Sequence, residues 1–119
     1  MASRLPRSLL HLEGAVVAVA AVALYLHLGY PWWLLLVLAL APDLSMVGYA
    51  AGPAVGAVAY DIAHTYAIPV ALGLVGVFAD ADLALQISLV WAAHIGVDRA
   101  IGYGLKYPTG FQDTHLQRV

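Results

Sequence analysis

Apolar positions fall into four long runs, residues 9–28, 31–49, 53–78 and 83–105, followed by a polar tail at 106–119. Each run is close to the roughly 20 residues that a helix needs to cross the hydrocarbon layer. The pattern therefore predicts four transmembrane helices. Gly29-Tyr30-Pro31 interrupts the first run, and Pro31 suits the first turn of the next helix. Ala51-Gly52-Pro53 separates the second run from the third, and Ala79-Asp80-Ala81-Asp82 forms a short polar turn before the fourth. Pro42-Asp43 removes a backbone donor inside the second run and predicts a kink or a restarted turn through Tyr49. Trp32 and Trp33 stand where an aromatic belt anchors a helix at the headgroups, and Tyr25, Tyr30, Tyr103 and Tyr107 read the same way. The first run exceeds the about 7 to 15 apolar residues of a signal peptide, so it is read as a retained helix. Short connections throughout predict an all-α, up-down-up-down antiparallel four-helix bundle. Gly52-x-x-x-Gly56 permits close helix approach, as ordinary packing within the chain or, less favoured, as a contact between copies in a homo-oligomer.

Composition agrees with the pattern. Of 119 residues 63% are hydrophobic and 10% charged, against about 25% charged in a soluble domain. So few charges cannot cover a water-facing surface, which makes the lipid bilayer the main partner. Five basic residues and a net charge of -2 exclude nucleic acid, because no Lys/Arg cluster exists to neutralise phosphates. No cysteine is present, so any metal would depend on His and carboxylate ligands. Arg4, Arg7, Lys106 and Arg118 fall on the terminal side, with Arg99 near that end of the fourth run; Asp80 and Asp82 occupy the opposite loop. By the positive-inside rule both termini are cytoplasmic, in a multi-pass protein of the inner (plasma) membrane.

Six ionisable groups have no part in that topology: Glu13, Asp43, Asp61, Asp98, His64 and His94. At about 1.5 Å per residue, all six fall in the cytoplasmic half of the spans. An intramembrane carboxylate costs about 2.5 to 3.5 kcal/mol on insertion scales, which makes a cluster of them a candidate site. Asp61-x-x-His64 and His94-x-x-x-Asp98 each share one helix face. A similar inventory of carboxylates and carboxylate-His pairs holds two metals in some four-helix bundles, although here three of the four carboxylates are the shorter Asp. His11, His27 and His115 read as interfacial.

The strings APDLSMVGY at 41–49, YDIAHTY at 60–66, WAAHIGVDRAIGYGLKY at 91–107 and DTH at 113–115 resemble the domain-of-unknown-function 4260 family of small bacterial integral membrane proteins. That resemblance brings no assigned activity with it. A weaker, motif-level similarity is to membrane-bound metal-dependent hydrolases, whose Pro-Asp, His-Ser/Thr and His-x-x-x-Asp elements match Pro42-Asp43, His64-Thr65 and His94-x-x-x-Asp98 in order. Those proteins carry an extra acidic or His residue after the Pro-Asp pair and a histidine before the His-Thr. This chain has Ser45 and Asp61 there.

The resulting expectation is a metal-dependent membrane hydrolase with Asp43, His64, His94 and Asp98 as ligands to zinc, manganese or iron. Asp61 is expected as the general base or a further ligand, and Glu13 as a base or as a group supporting the ligands from the first helix. Arg99 and Lys106 are expected to hold the anionic head of an amphiphilic, lipid-like substrate. Two other classes compete: a proton- or ion-coupled carrier or channel using the same groups as a relay, and a non-catalytic protein with polar staples between helices. A relay predicts polar groups across the whole membrane, whereas they are confined to one half.

Overall fold

Proline and glycine set most of the helix boundaries. The computed structural model describes residues 4–41, 43, 48 and 50–102, mostly helix joined by short turns, with no strand among them. The helices are α1 Arg4–His27, α2 Trp32–Ala39, α3 Pro53–Ala63, α4 Ala67–Phe78 and α5 Asp82–Ile101. Pro53 opens α3 at its first position, where a missing N–H costs nothing. Gly102 closes α5 in the left-handed region at φ 103° and returns its N–H to the carbonyls of Arg99 and Asp98, a cap that L side chains resist.

Two stretches are long and apolar enough to cross a membrane: Arg4–His27, and Pro53–Phe78 taken across α3 and α4. The first begins five residues before the expected run. The second expected span differs more. Its α-helix covers only Trp32–Ala39, about 12 Å at 1.5 Å per residue, and residues 41, 43, 48, 50 and 51 lie in 3₁₀ turns. A proline at position 42 has no N–H to give the Leu38 carbonyl, so regular α-helix cannot continue through it. The third span is interrupted at residues 64–66, a break absent from the sequence expectation. Pro69 accounts for it, since it cannot donate to the Thr65 carbonyl and is suited to the first turn of a new helix. Residues 103–105 and the polar tail lie outside the described residues.

Packing is organised on α5, against which α1, α4 and, more briefly, α2 are laid. Helix α1 runs antiparallel to it. A Cβ on Gly14 would stand 2.7 Å from the Gly96 carbonyl oxygen and 2.9 Å from the Ala100 nitrogen, which marks a near backbone-to-backbone crossing. Beside it His11 donates from Nδ1 to the Ala100 carbonyl at 2.8 Å. At the far end Tyr30 donates to Asp82 at 3.4 Å. Gly14-x-x-x-Ala18 on α1 thus meets Gly96-x-x-x-Ala100 on α5, the small-residue pattern that lets membrane helices approach. Helix α4 is also antiparallel to α5, with Gly76 against Leu85 and Gly73 against Ser88. Gly56 is buried with Gly48 close to it, so the small face of Gly52-x-x-x-Gly56 is used at least partly within the chain.

The interior is narrow: Tyr25, Val90, Ile95 and Pro69 are fully buried. Tyr25 donates to the Pro31 carbonyl at 2.7 Å, tying the end of α1 to the start of α2. Outward faces are apolar instead of polar, with Phe78 84%, Val19 70% and Leu40 69% exposed. Apolar surface on this scale is suited to lipid or to other apolar partners, not to water.

Candidate metal centre

Four side chains from three segments meet where α5 passes the break between α3 and α4. Asp43 comes from the 3₁₀ turns after α2, His64 caps the C-terminus of α3, and His94 and Asp98 stand four residues apart on α5. One ligand atom of each lies within 4.8 Å of the others. Nε2 of His64 is 3.5 Å from Asp43 Oδ1 and 3.3 Å from Asp98 Oδ2. Nε2 of His94 is 3.2 Å from both of those oxygens, and the two Nε2 atoms are 3.2 Å apart.

These spacings have a size that can be checked. Four ligands at about 2.0 to 2.1 Å from a central ion form a tetrahedron whose edge is about 1.63 bond lengths, or about 3.3 to 3.4 Å. Five of the six edges span 3.2 to 3.5 Å, and the sixth, between the two carboxylate oxygens, lies within 4.8 Å. Donor chemistry agrees. His64 Nδ1 lies 2.8 Å from the Tyr60 carbonyl, which can only accept, so that nitrogen carries a proton and Nε2 is the ring nitrogen turned toward the cluster. The His94 ring has the Ala39 carbonyl as a further hydrogen-bond partner. Two carboxylate oxygens and ring nitrogens facing one another at these distances need a cation or shared protons between them.

The support around His64 is extensive. Its ring stacks on Tyr60 with centroids 3.7 Å apart and planes 5° from parallel. The two carbonyls freed by the helix break are taken up from α5: Trp91 Nε1 donates to that of Ala63, and Arg99 Nη2 to that of His64 at 3.0 Å. The Arg99 guanidinium also lies 5.6 Å from the Tyr66 ring centroid. The Tyr66 hydroxyl is buried without a hydrogen-bond partner among the described residues.

Burial grades across the site. The side chains of His64, His94 and Asp98 are 3%, 9% and 16% exposed, against 43% for Asp43. The centre is therefore closed on the α5 side and accessible past Asp43.

The other expected site residues lie elsewhere. Asp61 is one turn before His64, near the Arg99 charge, and is not among the four. Glu13 is exposed on α1, in the electrostatic neighbourhood of Tyr66. Arg99 is buried at 9% exposure with its guanidinium on a backbone carbonyl, instead of reaching for a headgroup. Lys106 lies outside the described residues. Sequence reasoning missed Tyr60, Trp91 and Arg99 as supports of His64. Tyr60 at the i−4 position was a readable signal, and Pro69, which disfavours continuous helix across residues 64–66, was another.

Compared with known proteins, residues 7–119 match the family model described as "Domain of unknown function (DUF4260)". No curated protein and no solved structure matches the chain.

Proposed function

The chain belongs to the DUF4260 family, and from that premise we propose that it is an integral membrane, metal-dependent enzyme, a hydrolase. Its centre is formed by Asp43, His64, His94 and Asp98. The observation that carries the reading is the convergence of four His and Asp atoms, five of their six separations 3.2 to 3.5 Å, inside an apolar helical chain. His and carboxylate donors suit zinc, manganese or iron, and a tetrahedron of this size favours zinc. An ion held by these four residues would supply a water of lowered pKa as nucleophile on expanding its coordination beyond them. The half-exposed Asp43 is the side from which that water and a substrate enter. Asp61 and Glu13 are the carboxylates outside the ligand set that can take up a proton.

The membrane reading has four crossings, antiparallel, with both termini cytoplasmic and the protein in the inner (plasma) membrane. It is supported by the two membrane-length apolar stretches, by the antiparallel seating of α1 and α4 on α5, and by the exposed Leu and Val faces. The second crossing starts with α2. A site beside lipid implies an amphiphilic, lipid-like substrate.

One observation favours a second reading, a carrier of divalent cations. Four protein ligands already complete a tetrahedron, whereas hydrolytic zinc sites commonly use three and leave a position for water.

Elemental analysis of protein purified in detergent without chelator tests the common premise. About one zinc, manganese or iron per chain, lost in His94→Ala and reduced in Asp43→Asn, is expected. Wild-type protein devoid of all three overturns the metal centre and leaves only a proton-shared cluster. Zinc uptake into proteoliposomes that Asp43→Asn abolishes selects the carrier over the hydrolase.

A further inference from the structure

We infer that Arg99 and Trp91 are positioning residues for the metal centre: they hold the broken turn that carries His64 in register with the α5 ligands. The inference rests on the metal reading above. In a continuous helix the Ala63 carbonyl would accept from the Ala67 N–H, and that of His64 from the Ile68 N–H. Here α4 restarts at Ala67 behind Tyr66, and the first bond back is from the Val70 N–H to the Tyr66 carbonyl at 3.0 Å. Two carbonyls are thereby released inside an apolar structure, where each unsatisfied group is costly. Both are satisfied by side chains of one helix, the Trp91 indole and the Arg99 guanidinium.

The positions of those donors along α5 give the arrangement its specificity. Trp91 precedes His94 by three residues and Arg99 follows Asp98 by one, so one stretch of α5 supplies two ligands and clamps the backbone of a third. The His64 peptide is set by bonds to α5 itself, and its Nε2 is thereby held 3.2 Å from that of His94 and 3.3 Å from Asp98. Hydrogen bonds that orient a ligand in this way commonly govern metal affinity by about 10- to 100-fold. A buried arginine that reaches a backbone carbonyl has this role, and it differs from the headgroup contact that its place in the sequence suggested. The planar, multi-donor guanidinium can bond the His64 carbonyl while lying beside Tyr66 and in the field of Asp61 and Asp98.

The test is cobalt(II) titration of the detergent-purified, metal-stripped protein, reading affinity and the visible d–d bands that report tetrahedral coordination. Trp91→Phe and Arg99→Leu are expected to weaken cobalt binding by about 10- to 100-fold and to change the band shape. Arg99→Lys, which keeps one donor and the charge, recovers part of both. Ser88→Ala, a buried α5 change against α4, is the control and leaves affinity and bands as in wild type. Thermal loss in Trp91→Phe and Arg99→Leu with wild-type cobalt affinity and spectrum overturns the positioning role and leaves the metal centre intact. Wild-type protein that takes up no cobalt overturns both. If Arg99→Leu does not fold, Trp91→Phe alone decides.

Discussion

The crossing of α1 over α5 gives the sharpest mechanical prediction. A Cβ placed on Gly96 would lie 2.6 Å from the Gly14 carbonyl oxygen, 2.7 Å from the Ala18 nitrogen and 3.0 Å from the Ala18 Cβ. Ordinary contact begins near 3.4 Å, so Gly96→Ala is about 0.8 Å too close to one backbone atom and about 0.7 Å too close to another. Backbone cannot rotate away as a side chain end can. The two helices must separate, at a cost of about 1 to 3 kcal/mol for an overpacked contact. Alanine also raises helix propensity by about 1 kcal/mol over glycine, which would mask part of the loss. Gly73→Ala isolates the clash, because it gains the same propensity while its new Cβ meets the Ser88 hydroxyl, 2.5 Å away and free to turn. With an unfolding entropy of about 2.1 cal/mol/K per residue, 119 residues convert the difference into about 4 to 12 °C of Tm. Thermal unfolding of both variants in one detergent measures it. A Gly96→Ala protein as stable as Gly73→Ala would refute the close crossing, and with it the seating of α1 on α5.

Other expectations follow from single contacts. Tyr25→Phe strands the Pro31 carbonyl behind a fully buried ring and is expected to cost about 1 kcal/mol, measured by thermal unfolding. On the proposed metal centre, His64→Ala removes one of two candidate nitrogen ligands and is expected to abolish stoichiometric metal by elemental analysis, while His11→Ala, whose ring bonds Ala100, leaves metal content unchanged. Tyr30, in the connection before α2, has its phenol held above the ordinary value of 10 by burial first and then by the Asp82 charge. Favouring the protonated form in the fold means that this contribution is complete below about pH 10 and lost as pH rises through the raised value. Tyrosinate absorbance should show Asp82→Asn ionising at lower pH than wild type.

How much of this was legible depends on what each feature rests on. The helical class, both membrane-length stretches and the presence of Asp43, His64, His94 and Asp98 on converging segments follow from hydropathy and from i, i+4 spacing, which are properties of the chain alone. The interruption at 64–66 was hidden because Ala63, Thr65 and Tyr66 carry no breaker; the breaker is Pro69, acting on a carbonyl four residues back. The Arg99 contact with the His64 carbonyl was hidden for a related reason. Charge pattern ties an arginine near a helix end to the headgroups, but the carbonyl it binds exists as a free acceptor only once the neighbouring helix has broken. The α1 crossing was missed because Gly14 and Gly96 are each unremarkable in their own runs and acquire meaning only as a pair. Asp61 shares the spacing of a ligand pair with His64, yet the break turns His64 toward α5 without it.

The reliance of α1, α2 and α4 on α5 also has a temporal consequence. A ribosome delivers α5 after the other four helices, so until it emerges those segments can reside in the bilayer without the surface they pack on. The two ligands and the two carbonyl donors arrive together with that surface. The proposed metal centre is thereby complete only once α5 is in place, and a chain stalled before α5 lacks His94 and Asp98, two of its four candidate ligands.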